Sequence, residues 1–226
     1  MGAPEPVAGL QQLRPRLEEL AQQLRLDASA RQLDALIAFL GLLHRWNNTY
    51  NLTAVRKPAE MFTQHLADCL AVLPPLIREL GDAPVRRILD VGSGAGLPGI
   101  VIAVMLPQVS VTCVDKVGKK AAFIRQVVAE LGLPNLAVEH ARVEDLRGPP
   151  FDLIVSRAFS SLHDLVALTQ TNLAPRGRWL AMKGKSPADE IAALDTHIDA
   201  FHVEPLEVPG LGAERCLVWM RLRQSR

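Results

Sequence analysis

Ile88-Leu89-Asp90-Val91 is a short apolar run carrying one acid, and it leads straight into Gly92-Ser93-Gly94-Ala95-Gly96-Leu97-Pro98-Gly99. Four glycines in eight residues are more than a tight turn requires. They let the backbone bend sharply and approach a ligand with no Cβ in the way. Pro98 suits the first turn of a following helix, where its missing N–H costs nothing. Strand, glycine loop and helix in this order restrict the chain to an open α/β sheet with a ligand crevice at the strand ends.

The rest of the chain agrees. From Arg87 onward, apolar runs alternate with helical patterns. Strands are expected near 109–115, 136–139, 151–156 and 178–182, with helices from about Leu97, over 116–131, over 162–173 and over 188–198. Apolar strands separated by helices mean a parallel sheet buried on both faces. The end differs: Phe201 to Val208 and Cys216 to Leu222 are joined only by a short loop around Pro209-Gly210-Leu211-Gly212, so they must pair antiparallel. Before Arg87 the pattern is helical. Leu10, Leu13, Leu17, Leu20 and Leu24 share one face, and a second helix carries Leu33, Leu36, Ile37, Leu40 and Leu43 after a cap at Asp27 or Ser29. A third follows Pro58 and is expected to end at Pro74-Pro75, with a connector from Gly81 to Pro84. The reading is therefore an N-terminal helical extension over 1–84 and a Rossmann-like, mostly parallel seven-stranded domain over 85–226.

Two motifs overlap in the loop. Gly94, Gly96 and Gly99 match the dinucleotide fingerprint GxGxxG, which would make the chain a nicotinamide-dependent oxidoreductase. Asp90, Gly92, Gly94 and Gly96 match the DxGxGxG pattern of S-adenosylmethionine enzymes. An aspartate at the strand end repels a pyrophosphate but suits a cationic sulfonium or amino group. Together with the C-terminal hairpin it favours the methyltransferase. Asp115, nineteen residues after Gly96, closes the next strand, where an acid can accept hydrogen bonds from both ribose hydroxyls; a plain helix cap is the simpler alternative. Backbone near Val143, or Glu144, is placed to meet the adenine.

Composition narrows the setting. Net charge is +1, so any nucleic-acid contact must come from a local patch. Cys69, Cys113 and Cys216 show neither paired nor metal-ligand spacing, so no metal is expected. No basic start precedes an apolar block and no run reaches the length of a membrane helix, which sets the expectation of a cytoplasmic chain without a signal peptide or membrane contact. A monomer is expected.

The acceptor side is read from Ser156-Arg157-Ala158-Phe159. Amino-group methyltransferases of nucleic acids carry an Asn/Asp-Pro-Pro-Tyr-like segment there, and this chain does not. Nor does any cysteine sit where a pyrimidine-carbon enzyme needs its nucleophile. Guanine N7 has a free lone pair and no proton to remove, so alignment of donor and acceptor would suffice, which supplies on the order of 7–11 kcal/mol. No catalytic base is assigned.

Several segments resemble one family closely: Trp46-Asn47-Asn48-Thr49-Tyr50-Asn51-Leu52-Thr53-Ala54-Val55-Arg56, His65-Leu66-Ala67-Asp68, the run Leu89 to Gly99, Ser156-Arg157-Ala158-Phe159 and Met182-Lys183-Gly184-Lys185. This pattern is similar to the small-subunit ribosomal RNA methyltransferase G family (RsmG, also GidB), which are guanine-N7 methyltransferases. The resemblance implies S-adenosyl-L-methionine as donor, contacts at Gly92, Leu97, Val143, Glu144 and Arg157, and transfer to one guanine in the decoding-region hairpin of 16S ribosomal RNA or the small subunit. An RNA-binding assembly factor that keeps the pocket without transferring a methyl group is the non-enzyme alternative.

Arg157, Lys183 and Lys185 follow strand ends and are the candidates for RNA phosphate. Lys116, Lys119 and Lys120 read equally as a solvated helix start. Asn51, Thr53, His65 and Asp68 could form an RNA-facing or helix-orienting polar cluster, but the favoured expectation is that Asn51 and Thr53 cap the next helix and that His65 and Asp68 pair at i,i+3. Trp46 and Tyr50 share a helix face and are expected in the core rather than stacked on a base.

Overall fold

Ser29 and Gln32 show why the second helix starts where it does. The Ser29 hydroxyl accepts from the Gln32 N–H at 3.3 Å, and the Gln32 side chain accepts from the Ser29 N–H at 2.9 Å. This reciprocal box satisfies two orphan donors. In the computed structural model, which describes residues 9–81 and 87–223, that helix is α2 (Ala30–Tyr50), preceded by α1 (Leu13–Gln23). Leu13, Leu17 and Leu20 of α1 are buried against the apolar stripe of α2, each contributing about 1.5–3 kcal/mol. The Gln32 amide also donates to the carbonyls of Val104 and Met105, tying α2 to the sheet domain.

The third helix is shorter and less regular than expected, ending at Leu70. α3 (Pro58–Met61), a π-helical turn (Phe62–Ala67) and α4 (Asp68–Leu70) run on without a break. Pro74 and Pro75 do not end it. They lie at the start of a new helix, α5 (Leu73–Leu80), whose first-turn N–H groups have no intrahelical partner to lose. The connector expected at 81–84 and the boundary after residue 84 fall largely outside the described residues.

The sheet has the order β3-β2-β1-β4-β5-β7-β6. Its strands are β1 (Arg87–Val91), β2 (Ser110–Val114), β3 (Leu136–Glu139), β4 (Phe151–Arg157), β5 (Leu173–Lys183), β6 (Ile198–Pro205) and β7 (Cys216–Leu222). β1 to β5 are parallel neighbours; β7 runs antiparallel between β5 and β6. The parallel sheet with an antiparallel hairpin is as the sequence implied. Two boundaries shift. β5 begins five residues early, reaching back to Leu173. The helix expected over 188–198 is only α9 (Ala188–Ala192), and Ile198 already belongs to β6.

One face of the sheet is covered by α6 (Gly99–Met105), α7 (Gly118–Leu131) and the N-terminal helices, in a single continuous apolar cluster running from Leu17 and Leu36 through Ile100 and Phe123 to Leu180. The other face is covered by α8 (Leu162–Thr169), over Val91, Ile154 and Trp179. The Trp179 indole N–H is satisfied by Thr169 Oγ1 at 2.8 Å. β1 is central, and the loops after β1 and β4 leave it side by side, which opens the crevice.

Candidate active site

The loop after β1 folds back over β2. The N–H groups of Gly92 and Ser93 donate to the Val114 carbonyl at 3.0 and 3.2 Å. Gly92, Gly94 and Gly96 have φ of +63°, +59° and +79°, the left-handed region that side chains disfavour. At Gly96 a Cβ would also overlap the end of Ile100. The helix follows two residues later than expected: Leu97–Pro98 is cis, Pro98 is the N-cap residue and α6 starts at Gly99.

Asp90, expected to face the cofactor, lies beneath the loop with no exposed surface and lines neither of the cavities described below. Its Oδ2 accepts the Gly99 N–H at 2.8 Å and faces the Cys113 thiol at 3.8 Å. It pins the first turn of α6 and offers no surface to either cavity. Burial pushes its carboxyl up to about 7. Burial likewise pushes the Cys69 thiol up to about 12 and the Cys113 thiol well above its usual range, so both stay protonated.

Asp115 faces the same loop from β2. Oδ2 accepts the Gly94 N–H at 2.9 Å, Oδ1 accepts the Val117 N–H at 2.8 Å, and Lys120 Nζ stands 3.9 Å away. Loop support and the turn into α7 are therefore served by one carboxylate.

Two cavities meet at Gly92 and Lys120, which line both. The smaller, about 280 Å³, is a slot walled by Val117, Val143 and Phe159 with Asp115 at its side and Glu144 at its edge. Apolar walls, a carboxylate and Cβ-free backbone fit a nucleoside, with room at Gly92 and Gly94 for a chain passing into the second cavity. That one, about 590 Å³, is lined by Thr53, His65, Leu97, Arg157 and Arg215 among others.

The second cavity is organised by Asp68, which is buried. Its Oδ1 accepts Arg215 Nε at 2.8 Å and its Oδ2 accepts Arg157 Nη1 at 3.3 Å. Arg157 also donates to the Gln64 carbonyl in the π-helical turn at 3.1 Å. The expected His65–Asp68 pair does not form, because i→i+5 winding takes the two off a common face. His65 Nε2 instead lies 2.8 Å from Thr53 Oγ1. Burial, then the Arg157 charge, lowers His65 to about 4, so the imidazole is neutral at pH 7. Thr53 and Asn51 do not cap the next helix: Asn51 closes α2 in the left-handed conformation, and Thr53 turns to the cavity. Asn47 holds that turn, accepting the Thr53 N–H at 2.8 Å and donating to the Val55 carbonyl at 2.9 Å.

Lys183 is less free than its position suggested. Its ammonium donates to both Glu190 oxygens, at 3.0 and 2.8 Å, and its side chain is only 11% exposed. Lys185 is exposed and has no ion pair among the described residues. Arg215 and the Gln64 carbonyl carried no sequence signal: one is an isolated loop residue, the other a main-chain atom freed by π winding.

The fold and this divided crevice define a class I, S-adenosylmethionine-dependent methyltransferase. Solved structures share the fold: the N-methyltransferase NodS from Bradyrhizobium japonicum, in complex with S-adenosyl-L-homocysteine (TM-score 0.57, 13% identity, covering 80% of this chain and 100% of that one), and TrmN from Thermus thermophilus (TM-score 0.55, 21% identity, 75% and 55%). The chain belongs to the family of rRNA small subunit methyltransferase G, whose model matches residues 32–218. Relatives bearing that name include those of Leptothrix cholodnii, 61% identical over 90% of this chain and 93% of the relative, and Methylibium petroleiphilum, 58% identical over 90% and 92%.

Proposed function

We propose that this methyltransferase transfers the methyl group of S-adenosylmethionine to N7 of one guanine in 16S ribosomal RNA. The observation that carries the RNA assignment is the charge of the acceptor cavity. Lys120, Arg157, Lys183 and Arg215 line it; Asp68 is shared by both arginines, Glu190 pairs with Lys183 and Asp115 stands 3.9 Å from Lys120, so four cations face three carboxylates. On a chain of net charge +1 this is the local concentration of cations that a polyanion needs.

The bound donor supplies an electrophilic methyl group on a sulfonium. Gly92, Gly94 and Leu97 shape the passage between the cavities, with Gly96 letting the loop pack close on Ile100. Asp115 accepts from the ribose hydroxyls, Val143 and Glu144 meet the adenine, and Arg157, Lys183 and Lys185 meet RNA phosphate. The imidazole of His65 is held by Thr53 and the nearest thiols are buried and protonated. An acceptor atom that already has a lone pair suits such a cavity, because alignment alone then suffices. The N-terminal helices act as a wall of this crevice rather than as a separate unit, in keeping with the shared apolar cluster and with Thr53 and His65. Action in the cytoplasm, where such a substrate resides, and action as a monomer belong to the same proposal. Among the described residues no helix is long and apolar enough to cross a membrane.

N7 methylation leaves a fixed positive charge on the purine, which makes the base reducible by borohydride and the chain cleavable by aniline. Unmodified small subunits treated with enzyme and donor should yield one new, donor-dependent cut at a guanine of 16S RNA. Methyl label in the RNA without a cut would move the acceptor to another atom. Label confined to protein would refute the RNA assignment.

Asp115→Ala should weaken binding of S-adenosylhomocysteine by about 1.5–3 kcal/mol, the scale of hydrogen bonds to a charged group. Calorimetry with an analogue lacking both ribose hydroxyls separates the ribose contact from loop support. If mutant and wild type discriminate against that analogue equally, Asp115 does not hold the ribose.

A further inference from the structure

We infer that Tyr50 is a stacking platform for an unpaired base of the RNA strand that enters the acceptor cavity, flanked by Arg56, Lys119 and Lys120 as phosphate contacts. The inference rests on the RNA reading above and adds a surface to it.

Four rings form a ladder from the core to the surface. Phe39 and Phe123 have centroids 6.3 Å apart, Phe123 and Trp46 are 5.5 Å apart, and Trp46 and Tyr50 are 5.0 Å apart. Phe39 and Phe123 are fully buried, Trp46 is half-buried, and Tyr50 is 46% exposed. The expectation that Tyr50 belongs to the core is thus half right: its inner side is held by Trp46, and the rest of the ring is open to solvent. Tyr50 is the only tyrosine of the chain.

Its position is fixed as well as exposed. It is the last residue of α2, and its carbonyl accepts the Lys119 ammonium at 2.7 Å. Asn51 then turns the chain, its side chain accepting from Arg56 Nη2 at 2.8 Å. Leu52 and Thr53 follow directly into the wall of the acceptor cavity, and Lys120, next to Lys119, lines that cavity too. Tyr50 therefore lies two residues along the chain from the first residue of the cavity wall, with its carbonyl bonded to the neighbour of a lysine that lines it.

Charge identifies the occupant. Arg56, Lys116 and Lys119 are exposed, and none has a carboxylate within ion-pair distance among the described residues; Lys120 is only 3.9 Å from Asp115. An aromatic face held in one orientation beside uncompensated cations is the arrangement that binds single-stranded nucleic acid. The base stacks, and the cations follow the phosphates. A flexible side chain would have to be immobilised on binding, whereas Tyr50 is already braced by the ladder.

The test measures methyl transfer to unmodified small subunits. Tyr50→Ala should raise KM for subunits by roughly 5- to 150-fold, the range for loss of one base–aromatic stack, with kcat and the affinity for S-adenosylhomocysteine unchanged. Tyr50→Phe should restore wild-type KM, since stacking needs only the ring. Arg56→Gln should lower the log–log salt dependence of subunit binding by somewhat under ~1, while Tyr50→Ala should leave that slope alone. Placing p-benzoylphenylalanine at position 50 and irradiating the complex should join the enzyme to RNA. Unchanged KM in Tyr50→Ala, equal loss in Tyr50→Phe, or crosslinks only to a ribosomal protein would each overturn the platform. Wild-type enzyme that methylates no RNA would instead overturn the underlying reading.

Discussion

Gly99→Ala is expected to destabilise the fold by about 2–4 kcal/mol although alanine is the better helix former. The backbone at Gly99 is ordinary helix; space is what is missing. A Cβ there would overlap the Cys113 sulfur and stand 2.8 Å from Asp90 Oδ2 and 3.1 Å from Asp90 Cβ. All three residues are buried, so nothing can swing into solvent. Overpacking of this kind costs about 1–3 kcal/mol, and displacing Asp90 from the Gly99 N–H adds to it. For a chain of this size each kcal/mol moves Tm by roughly 2–4 °C, so a fall of roughly 5–15 °C is the expected result. Cys113→Ala removes the nearest obstacle and should recover part of the loss in the double mutant. Strict additivity of the two substitutions would show that the clash is not the cause.

Asp90→Asn should gain roughly 4 kcal/mol of stability relative to wild type between pH 4 and pH 8. Asp90 rises from 3.8 to about 7 on burial, at about 1.4 kcal/mol per tenfold change in the proton equilibrium. The sign follows from linkage. Below about 4 the carboxyl is neutral in both states and its contribution is complete. As pH rises through about 7 the unfolded chain gains charge first, and that contribution is lost. His65 works in the opposite direction: lowered from 6.5 to about 4, it contributes fully above 6.5 and loses that contribution as pH falls toward 4. The two slopes largely cancel between pH 4 and 6.5, so the wild-type profile alone is uninformative. The readout is the difference in stability between the Asp90→Asn variant and wild type, from urea unfolding at several pH values. It should shift in favour of the variant from pH 4 upward and level off above 7. A difference independent of pH would mean that Asp90 is ionised in the fold throughout.

The glycine loop, the strand alternation and the short final loop were enough to read the sheet and its hairpin, because glycine, periodicity and loop length act locally. For the same reason Gly92, Asp115 and Val143 could be read as lying just beyond β1, β2 and β3, and the structure sets all three around one cavity. Asp90 shows the limit. The motif placed it correctly in the chain, but only three dimensions show that its carboxylate points under the loop to the Gly99 N–H. The acceptor side was least readable. It depends on Asp68 joining Arg157 and Arg215 across 89 and 147 residues of sequence, and on a π-helical turn that no residue pattern announced. Pro74-Pro75 misled because the same pair that cannot continue one helix can start another.

β7 has a consequence for how the molecule is made. It is synthesised after both of its neighbours, yet it lies between them. Until residues 216–222 are available, β5 keeps an open edge beside Trp179 and Leu180, and β6 has no partner, since its only neighbour in the sheet is β7. A nascent chain can assemble the glycine loop and the smaller cavity before that, because β1 to β4 and the residues after β4 that wall it come earlier in the chain. It cannot bring Arg215 to Asp68 until the last strand is inserted. A chain interrupted between β6 and β7 would carry a donor slot, an incomplete acceptor cavity and an exposed strand edge, the feature that invites association with other chains. Premature arrest in that stretch therefore leads toward aggregation rather than toward a weakened enzyme.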